Sequence, residues 1–436
     1  MRFVYNVLFT VFFFVSLPYY VFRLVRRGNW RRGFWQRFGG YEEALREQLA
    51  GENVVWFHAV SVGEVNLCAL LVQSLGDRLH GWKVVVSTTT TTGMGELERK
   101  LPESVVKVYY PIDFAPSVNR ALRVINPKLV VLVEAEIWPN LLWRLADRSI
   151  PTFLVNARLS DRSASRYGKF GVLFQEIFAS FAGVGVQNEA DAQSVVSVGC
   201  APDRTVVTGN LKFDAVDLSS RHALNPSELV RWAGAQAGAP VLLGSSTHAG
   251  EERLLGEIYV RLREKIPDLF LVIVPRHFER GADVKKDLSS LGIQTILRTD
   301  YDGRPDGDPK QGDCLIVNST GELRFFYDVA SVVFVGKSLL AHGGQNPIEA
   351  AASSCAVVVG PNMENFRAIT RTFLSAEGMV QVRDAAELEE SLLRLLRDRE
   401  RATQLGSRAR EVVERNRGAV DRTVEMITPA LEAFNQ

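Results

Sequence analysis

Past residue 53 the chain is a repeating alternation of short apolar runs and amphipathic stretches, and this pattern limits the fold more than any other feature. The runs are Val54–Val60, Lys83–Thr88, Val105–Tyr110, Leu129–Glu134, Thr152–Asn156 and Gly183–Gln187. Between them lie helical stretches such as Glu64–Leu79, Ala115–Val124 and Leu141–Asp147. Runs that are apolar throughout, rather than at every second residue, predict strands covered on both faces, hence a parallel sheet between helix layers. The polar stretch Lys212–Pro226 then interrupts the pattern. It resumes with Val241–Ser245, Phe270–Val274, Gln294–Leu297, Cys314–Asn318, Ser331–Val335 and Ala356–Gly360, and ends in the charged, helical segment Ala385–Phe434. A chain of 436 residues has room for two or three domains. The prediction is two doubly wound α/β halves, with ligands at the carboxyl ends of strands and in a cleft between the halves.

The amino terminus differs. Phe3–Phe22 contains 16 apolar residues in 20, and its exceptions, Asn6, Thr10, Ser16 and Pro18, are uncharged. As a helix it would be about 30 Å long, the thickness of a bilayer core. Six arginines follow (Arg23, Arg26, Arg27, Arg31, Arg32, Arg37), and the first acid is Glu42. Such a cluster favours the cytoplasmic side and attracts anionic headgroups. Trp30, Phe34 and Trp35 suit an interfacial belt. The basic residues follow the apolar run and no small-residue cleavage site does, which argues against a signal peptide. A helix that spans and one that lies in the interface both fit.

Net charge is +1, from 51 basic and 50 acidic residues, so no global footprint for nucleic acid exists. Cys68, Cys200, Cys314 and Cys355 lack metal-type spacing and read as reduced, buried thiols. Neither G-x-G-x-x-G nor G-x-x-x-x-G-K-[ST] opens a half, which disfavours dinucleotide-dependent and P-loop chemistry.

Several strings sit where strands end. In Trp56–Val65, Glu64 falls in the first turn of a helix, placed to act as a general base or simply to suit the helix dipole. Ser87–Gly93 offers hydroxyls, Thr89 and Thr90 among them, for a sugar or headgroup, or for helix caps. In Glu134–Asn140, Glu134 and Glu136 alternate sides if extended, so one faces a site. Asn156–Ser163 carries Arg158 and Arg162, suited to an anionic acceptor such as a lipid phosphate. Gly244–His248 precedes a helix and reads as an anion site, and Pro275–Arg280 brings Arg276 and His277 to a strand end. In His342–Glu349 two glycines allow close approach, Pro347 sets a helix start and Glu349 can accept from ribose hydroxyls, a pattern suited to a nucleotide. Asp306-Gly307-Asp308 matches a metal-binding D-x-D but reads as a solvated turn.

As an ordered set, SVGE, STTTTTG, EAEIWPN, NARLSDRS, GNLKFD, PRHFER, GEL and GGQNPIE resemble 3-deoxy-D-manno-octulosonic acid (Kdo) transferases of lipopolysaccharide assembly, over nearly the whole chain. The resemblance implies a membrane-associated GT-B fold, two Rossmann-like domains facing a cleft, and inverting transfer of Kdo from CMP-Kdo to the lipid A precursor, lipid IVA. It implies Glu64 as the base, and Glu134 or Glu136 with Lys212 supporting the transition state. It implies Pro275, Arg276, Gly321, Glu322, Leu323, Asn346, Pro347, Ile348 and Glu349 as CMP contacts. No cofactor and no metal are expected, because helix N-termini and cations such as Arg276 and Lys337 can meet the charge on the leaving phosphate. This chain departs from the usual GGHNPxEP at Gln345 and Ala350, and Gln345 cannot carry a proton's charge.

The resulting expectation is a membrane anchor and basic segment over 1–38, an acceptor-binding domain over 39–211, a linker over 212–226, and a CMP-Kdo-binding domain with terminal helices over 227–436. The partners are CMP-Kdo, the lipid A precursor and anionic lipids of the bacterial inner membrane, with the catalytic domains on the cytoplasmic side. The alternatives are another GT-B nucleotide-sugar transferase or a UDP-sugar 2-epimerase, which binding of CMP against UDP separates. A non-catalytic lipid-binding protein is a further one, in which Glu64 and Arg276 would be dispensable.

Overall fold

The computed structural model describes residues 1–26, 31–134, 137–159, 171–216, 225–301 and 310–434. Contacts divide it into two units, one of Met1–Ala215 with Arg417–Gln436 and one of Val216–Asn416.

The first unit is built on seven strands: β1 (Val54–His58), β2 (Lys83–Thr88), β3 (Val106–Tyr109), β4 (Pro127–Val133), β5 (Thr152–Ala157), β6 (Gly183–Val186) and β7 (Thr205–Val207). Their order is β3-β2-β1-β4-β5-β6-β7, with every pairing parallel. The apolar strands have the two covered faces that parallel pairing requires. Val55 and Phe57 of β1 pack under the helices Val62–Leu75 and Ala419–Glu432. Val54 and Trp56 point the other way, towards Ala115–Ile125 and Pro139–Asp147. Each such side chain, fully buried, contributes about 1.5–3 kcal/mol. The edge strand β7 was not expected, since its three residues make too short a run and Val206 and Val207 face solvent.

The second unit has β8 (Val241–Thr247), β9 (Phe270–Pro275), β10 (Thr295–Leu297), β11 (Cys314–Ile316), β12 (Val332–Val335), β13 (Ala356–Val359) and β14 (Val380–Gln381). They form one parallel sheet in the order β10-β11-β9-β8-β12-β13-β14. Leu242, Leu271, Phe334 and Val358 form its core with the helices Glu251–Arg263 and Ala385–Arg397. All four cysteines are free and buried.

Three boundaries differ from expectation. The terminal helix Ala419–Glu432 belongs to the first unit, not the second. Its Val420, Val424, Ile427 and Leu431 complete the core beneath the helix Val62–Leu75, and Asp214 accepts from Gly418 N and Val420 N at 2.8 Å each. Thus Lys212 and Asp214, expected in the linker, also lie in the first unit. The apolar helix Arg2–Arg26 likewise counts with the first unit and is not a separate segment.

Candidate active site

A doubly wound sheet opens a crevice where its strand order reverses. In the first unit that point lies between β1 and β4, and the segments that follow these strands carry Glu64 and Glu134. Ser61 caps the helix Val62–Leu75 by accepting from Glu64 N at 3.3 Å, and its hydroxyl donates to Glu64 Oε1 at 2.8 Å. Val60 N donates to Glu64 Oε2 at 2.7 Å. The carboxylate is thereby oriented, and each oxygen keeps a second lone pair for a substrate proton. Burial raises its pKa above the ordinary value, against the pull of the Val60 and Ser61 hydrogen bonds, and the charge of Glu134 raises it further.

Glu134 adopts φ +62, unusual for a residue with a side chain. Its carboxylate pairs with Lys212 Nζ at 2.9 Å and accepts from Asn156 Nδ2 at 3.2 Å. Asn156 is fully buried and also left-handed, at φ +54. Its Oδ1 accepts from Leu211 N at 3.0 Å and its carbonyl accepts from Gln187 Nε2 at 3.1 Å. Asn210 links to both, donating to Gln187 Oε1 and accepting from Lys212 N, each at 3.0 Å. Two strained residues side by side at strand ends mark a site where geometry is imposed. Sequence reading included Asn156 only as part of a string. An asparagine ending a buried strand, tolerant of left-handed φ, was the available signal.

Thr89 and Thr90 follow β2. The Thr90 hydroxyl caps the next helix, accepting from Gly93 N at 3.0 Å and donating to the Val60 carbonyl at 3.3 Å, while Thr88 donates to the same carbonyl at 3.1 Å. The threonines therefore buttress the loop that holds Glu64. Arg37 donates to the Thr89 carbonyl and lies over the Tyr109 ring at 4.3 Å. Arg158 sits half-buried just after β5. Glu136, Arg162 and the Asp306–Asp308 turn lie outside the described residues. His58, buried and stacked on Tyr110, is pushed down to about 3 by burial, so it is neutral.

In the second unit the reversal falls between β8 and β12. The expected anion site after β8 is already filled by the chain's own carboxylate. Glu251, fully buried, accepts at Oε2 from His248 N at 3.0 Å and Lys337 N at 2.7 Å. At Oε1 it accepts from Ser338 N and Leu339 N, each at 3.2 Å. It thus ties together the loops after both strands. Sequence reading missed it because Glu251-Glu252 after a glycine looks like ordinary first-turn acids. Arg276 N donates to the Thr247 carbonyl at 2.9 Å, and the Arg276 side chain is exposed just past Pro275. His248, half-buried and pushed below its ordinary value by burial, has its ring 6.1 Å from that of His277.

Gly321, at φ +80, precedes Glu322, which pairs with Arg298 at 2.9 Å and accepts from the Ser319 hydroxyl at 2.6 Å, while Leu323 starts the next short helix. The turn before Gln345 uses Gly343 at φ +109 and Gly344 at φ +70. Glu364 fixes it, accepting from Gly343 N at 2.7 Å and meeting His342 Nδ1 at 3.0 Å, a contact that pulls Glu364 down to about 2. Asn346 Oδ1 accepts from Ile348 N at 3.1 Å, Pro347 caps the five-residue helix Ile348–Ala352, and Glu349 is solvent-exposed. Among the described residues, no three His, Cys, Asp or Glu side chains are grouped to hold a metal.

Two parallel, doubly wound units, each with candidate site residues at its strand-order reversal, have the architecture of the GT-B fold. Solved structures agree on that fold. UDP-GlcNAc 2-epimerase from Neisseria meningitidis matches with TM-score 0.60 and 16% identity, over 86% of this chain and 99% of that one. A glycosyltransferase from Rickettsia africae matches with TM-score 0.55 and 13% identity, over 88% and 99%. In sequence, residues 32–215 match the family described as 3-deoxy-D-manno-octulosonic-acid transferase (kdotransferase). The 3-deoxy-D-manno-octulosonic acid transferase of Haemophilus influenzae is 32% identical over 410 residues, 94% of this chain and 93% of that protein. The enzyme of the same name from Bordetella pertussis is 32% identical over 422 residues, 94% of each. The chain belongs to the Kdo transferase family.

Proposed function

We propose that this enzyme transfers Kdo from CMP-Kdo to a sugar hydroxyl of the lipid A precursor, lipid IVA, with inversion and without a metal. Glu64 takes the proton of the acceptor hydroxyl. The acceptor oxygen then forms a bond to the anomeric carbon of Kdo from the side opposite CMP. The bond from that carbon to the phosphate breaks in the same displacement, and CMP leaves with the electron pair. A phosphate monoester is already a weak base, so one carboxylate suffices, unlike the pair needed in glycoside hydrolysis. Glu134, or Glu136, with Lys212 supports the charge that develops. Pro275, Arg276, Gly321 to Leu323 and Asn346 to Glu349 contact CMP, while Arg276 and Lys337 meet the leaving phosphate. Thr89, Thr90, Arg158 and Arg162 contact the acceptor. The first unit thus supplies the base and the second the donor contacts. Residues 1–38 attach the enzyme to the cytoplasmic side of the inner membrane through its anionic lipids.

The observation carrying this reading is Glu64 itself, fixed at both oxygens, raised in pKa and lying within the field of the Glu134–Lys212 pair. The test is incubation of Glu64→Ala with CMP-Kdo and lipid IVA, with products resolved by mass, beside calorimetric titration with CMP. Transfer should fall by at least about 100-fold, the scale of a lost general base, with CMP affinity retained. Glu64→Gln keeps a side chain able to hold the Val60 loop and should be equally inactive. Near-normal turnover in either variant refutes the assignment. Chelator should leave the wild-type rate unchanged.

A further inference from the structure

The helix Arg2–Arg26 has the length and hydropathy of a membrane segment over Arg2–Tyr19, yet one side of it is already occupied. Tyr5, Asn6, Phe9, Thr10 and Phe13 are half-buried, a three-and-four spacing that defines one helix face. That face meets the first unit through polar groups. Arg2 pairs with Asp147 at 2.8 Å and Glu176 at 2.6 Å. The Tyr5 hydroxyl donates to Asp113 at 2.9 Å, and Asn140 Nδ2 donates to Asn6 Oδ1 at 3.0 Å. The Tyr5 ring stands edge-on to Trp143 at 5.5 Å, and Phe13 lies 6.5 Å from Phe38. The opposite face is open, with Phe3 80% and Val15 76% exposed and Val4, Leu8 and Phe12 also outward.

A spanning helix needs about 20 residues surrounded by hydrocarbon or by other membrane segments. Here the docked part starts at the second residue. Crossing the bilayer would carry Asp113, Asp147 and Glu176 into hydrocarbon or break every contact just described. A single charge at the centre of the bilayer costs about 2.5–3.5 kcal/mol on the most lenient scale.

We infer that this helix lies in the plane of an anionic phospholipid surface, one face on the first unit and the other in the lipid, and does not cross the bilayer. Charge selects the occupant: residues 1–41 contain no acid, Arg26 and Arg31 are exposed, and Trp35 is 72% exposed beside them. The same segment leads to the base. Phe38 lies near Phe13, Arg37 holds the Thr89 carbonyl, and Thr90 and Glu64 both hold Val60. The inference rests on the membrane reading above and specifies how the contact is made.

The test places single cysteines at Val4, Leu8, Phe12 and Val15 in the full chain, each labelled with a nitrobenzoxadiazole dye. The native thiols are buried and stay unlabelled. Vesicles of phosphatidylcholine and phosphatidylglycerol carry spin-labelled lipids that quench at shallow or deep positions. All four dyes should report one shallow depth, about 5–10 Å into the headgroup–acyl boundary. Depths that sweep from one leaflet through the centre to the other overturn the inference while leaving membrane attachment standing. Dyes already in an apolar environment before lipid is added, with the chain eluting as a dimer, overturn it in favour of self-association. Failure of every labelled chain and of the wild type to bind vesicles overturns the membrane reading itself.

Discussion

Glu251→Gln tests whether one buried carboxylate assembles the proposed donor site of the second unit. Glu251 receives four backbone N–H groups, two on each oxygen. Glutamine keeps one oxygen and replaces the other with a donor, so two of the four lose their acceptor and face an N–H instead. Each buried donor left without a partner costs about 1–3 kcal/mol, giving about 2–6 kcal/mol for the pair. This is a large share of the 5–15 kcal/mol that holds a typical domain together. Part of it can be relieved by letting the loop of Lys337, Ser338 and Leu339 move away. That loop also ties back to the glycine turn, since Gly344 N donates to the Lys337 carbonyl at 2.9 Å. Its release therefore disturbs the segment before Asn346–Glu349. Calorimetric titration with CMP should show affinity down at least about tenfold, or 1.4 kcal/mol. The melting temperature should fall by roughly 5–20 °C. Glu251→Asp, which keeps the charge on a shorter arm, should lie between. Wild-type CMP affinity and an unchanged melting temperature in Glu251→Gln would refute the argument.

The raised pKa of Glu64 has a signed consequence. As the proposed base, Glu64 works only when deprotonated, so kcat/KM should fall on the acid side with a midpoint above the ordinary value of 4.5. Lys212→Met removes the cation 2.9 Å from Glu134 and exposes Glu64 to an uncompensated negative charge. The limb should then move to higher pH, and Glu134→Gln should move it lower; a limb that stays put in both shows the pair is not coupled to the base. Asn156→Ala should destabilise by about 2–4 kcal/mol in urea unfolding, from two lost hydrogen bonds and a left-handed φ, with Asn156→Gly recovering part of the loss. Asp214→Ala uncaps the helix Ala419–Glu432 and should cost about 1–2 kcal/mol by the same assay.

The sheets were legible in sequence because parallel strands are apolar on both faces, and Val54–His58 or Val332–Val335 admit no other reading. The short edge strands β7 and β14 were not, since two or three residues make no pattern. Glu64, Glu134 and Lys212 could be named in sequence, but only the topology explains why residues 64 and 134 come together: they follow the two strands that flank the reversal. Glu251 was hidden because its role depends on the loop after β12, 86 residues away for Lys337 N. The terminal helix was assigned to the wrong unit, as an amphipathic stripe does not say which core it covers. At the amino terminus, Asn6 and Thr10 were counted as tolerated exceptions. Read at helical spacing they mark the docked side, with Tyr5 and Phe13 beside them.

The return of the last helix to the first unit sets a timetable for synthesis. The second unit is a continuous insertion, Val216–Asn416, and can close on its own residues alone. The first cannot, because the apolar underside of the helix that presents Glu64 stays open until Val420, Val424, Ile427 and Leu431 emerge. The first unit therefore completes its core only after residues beyond the second unit have been made, and truncation before residue 420 leaves every residue of the second unit in place while the helix that carries Glu64 lacks its cover on that face.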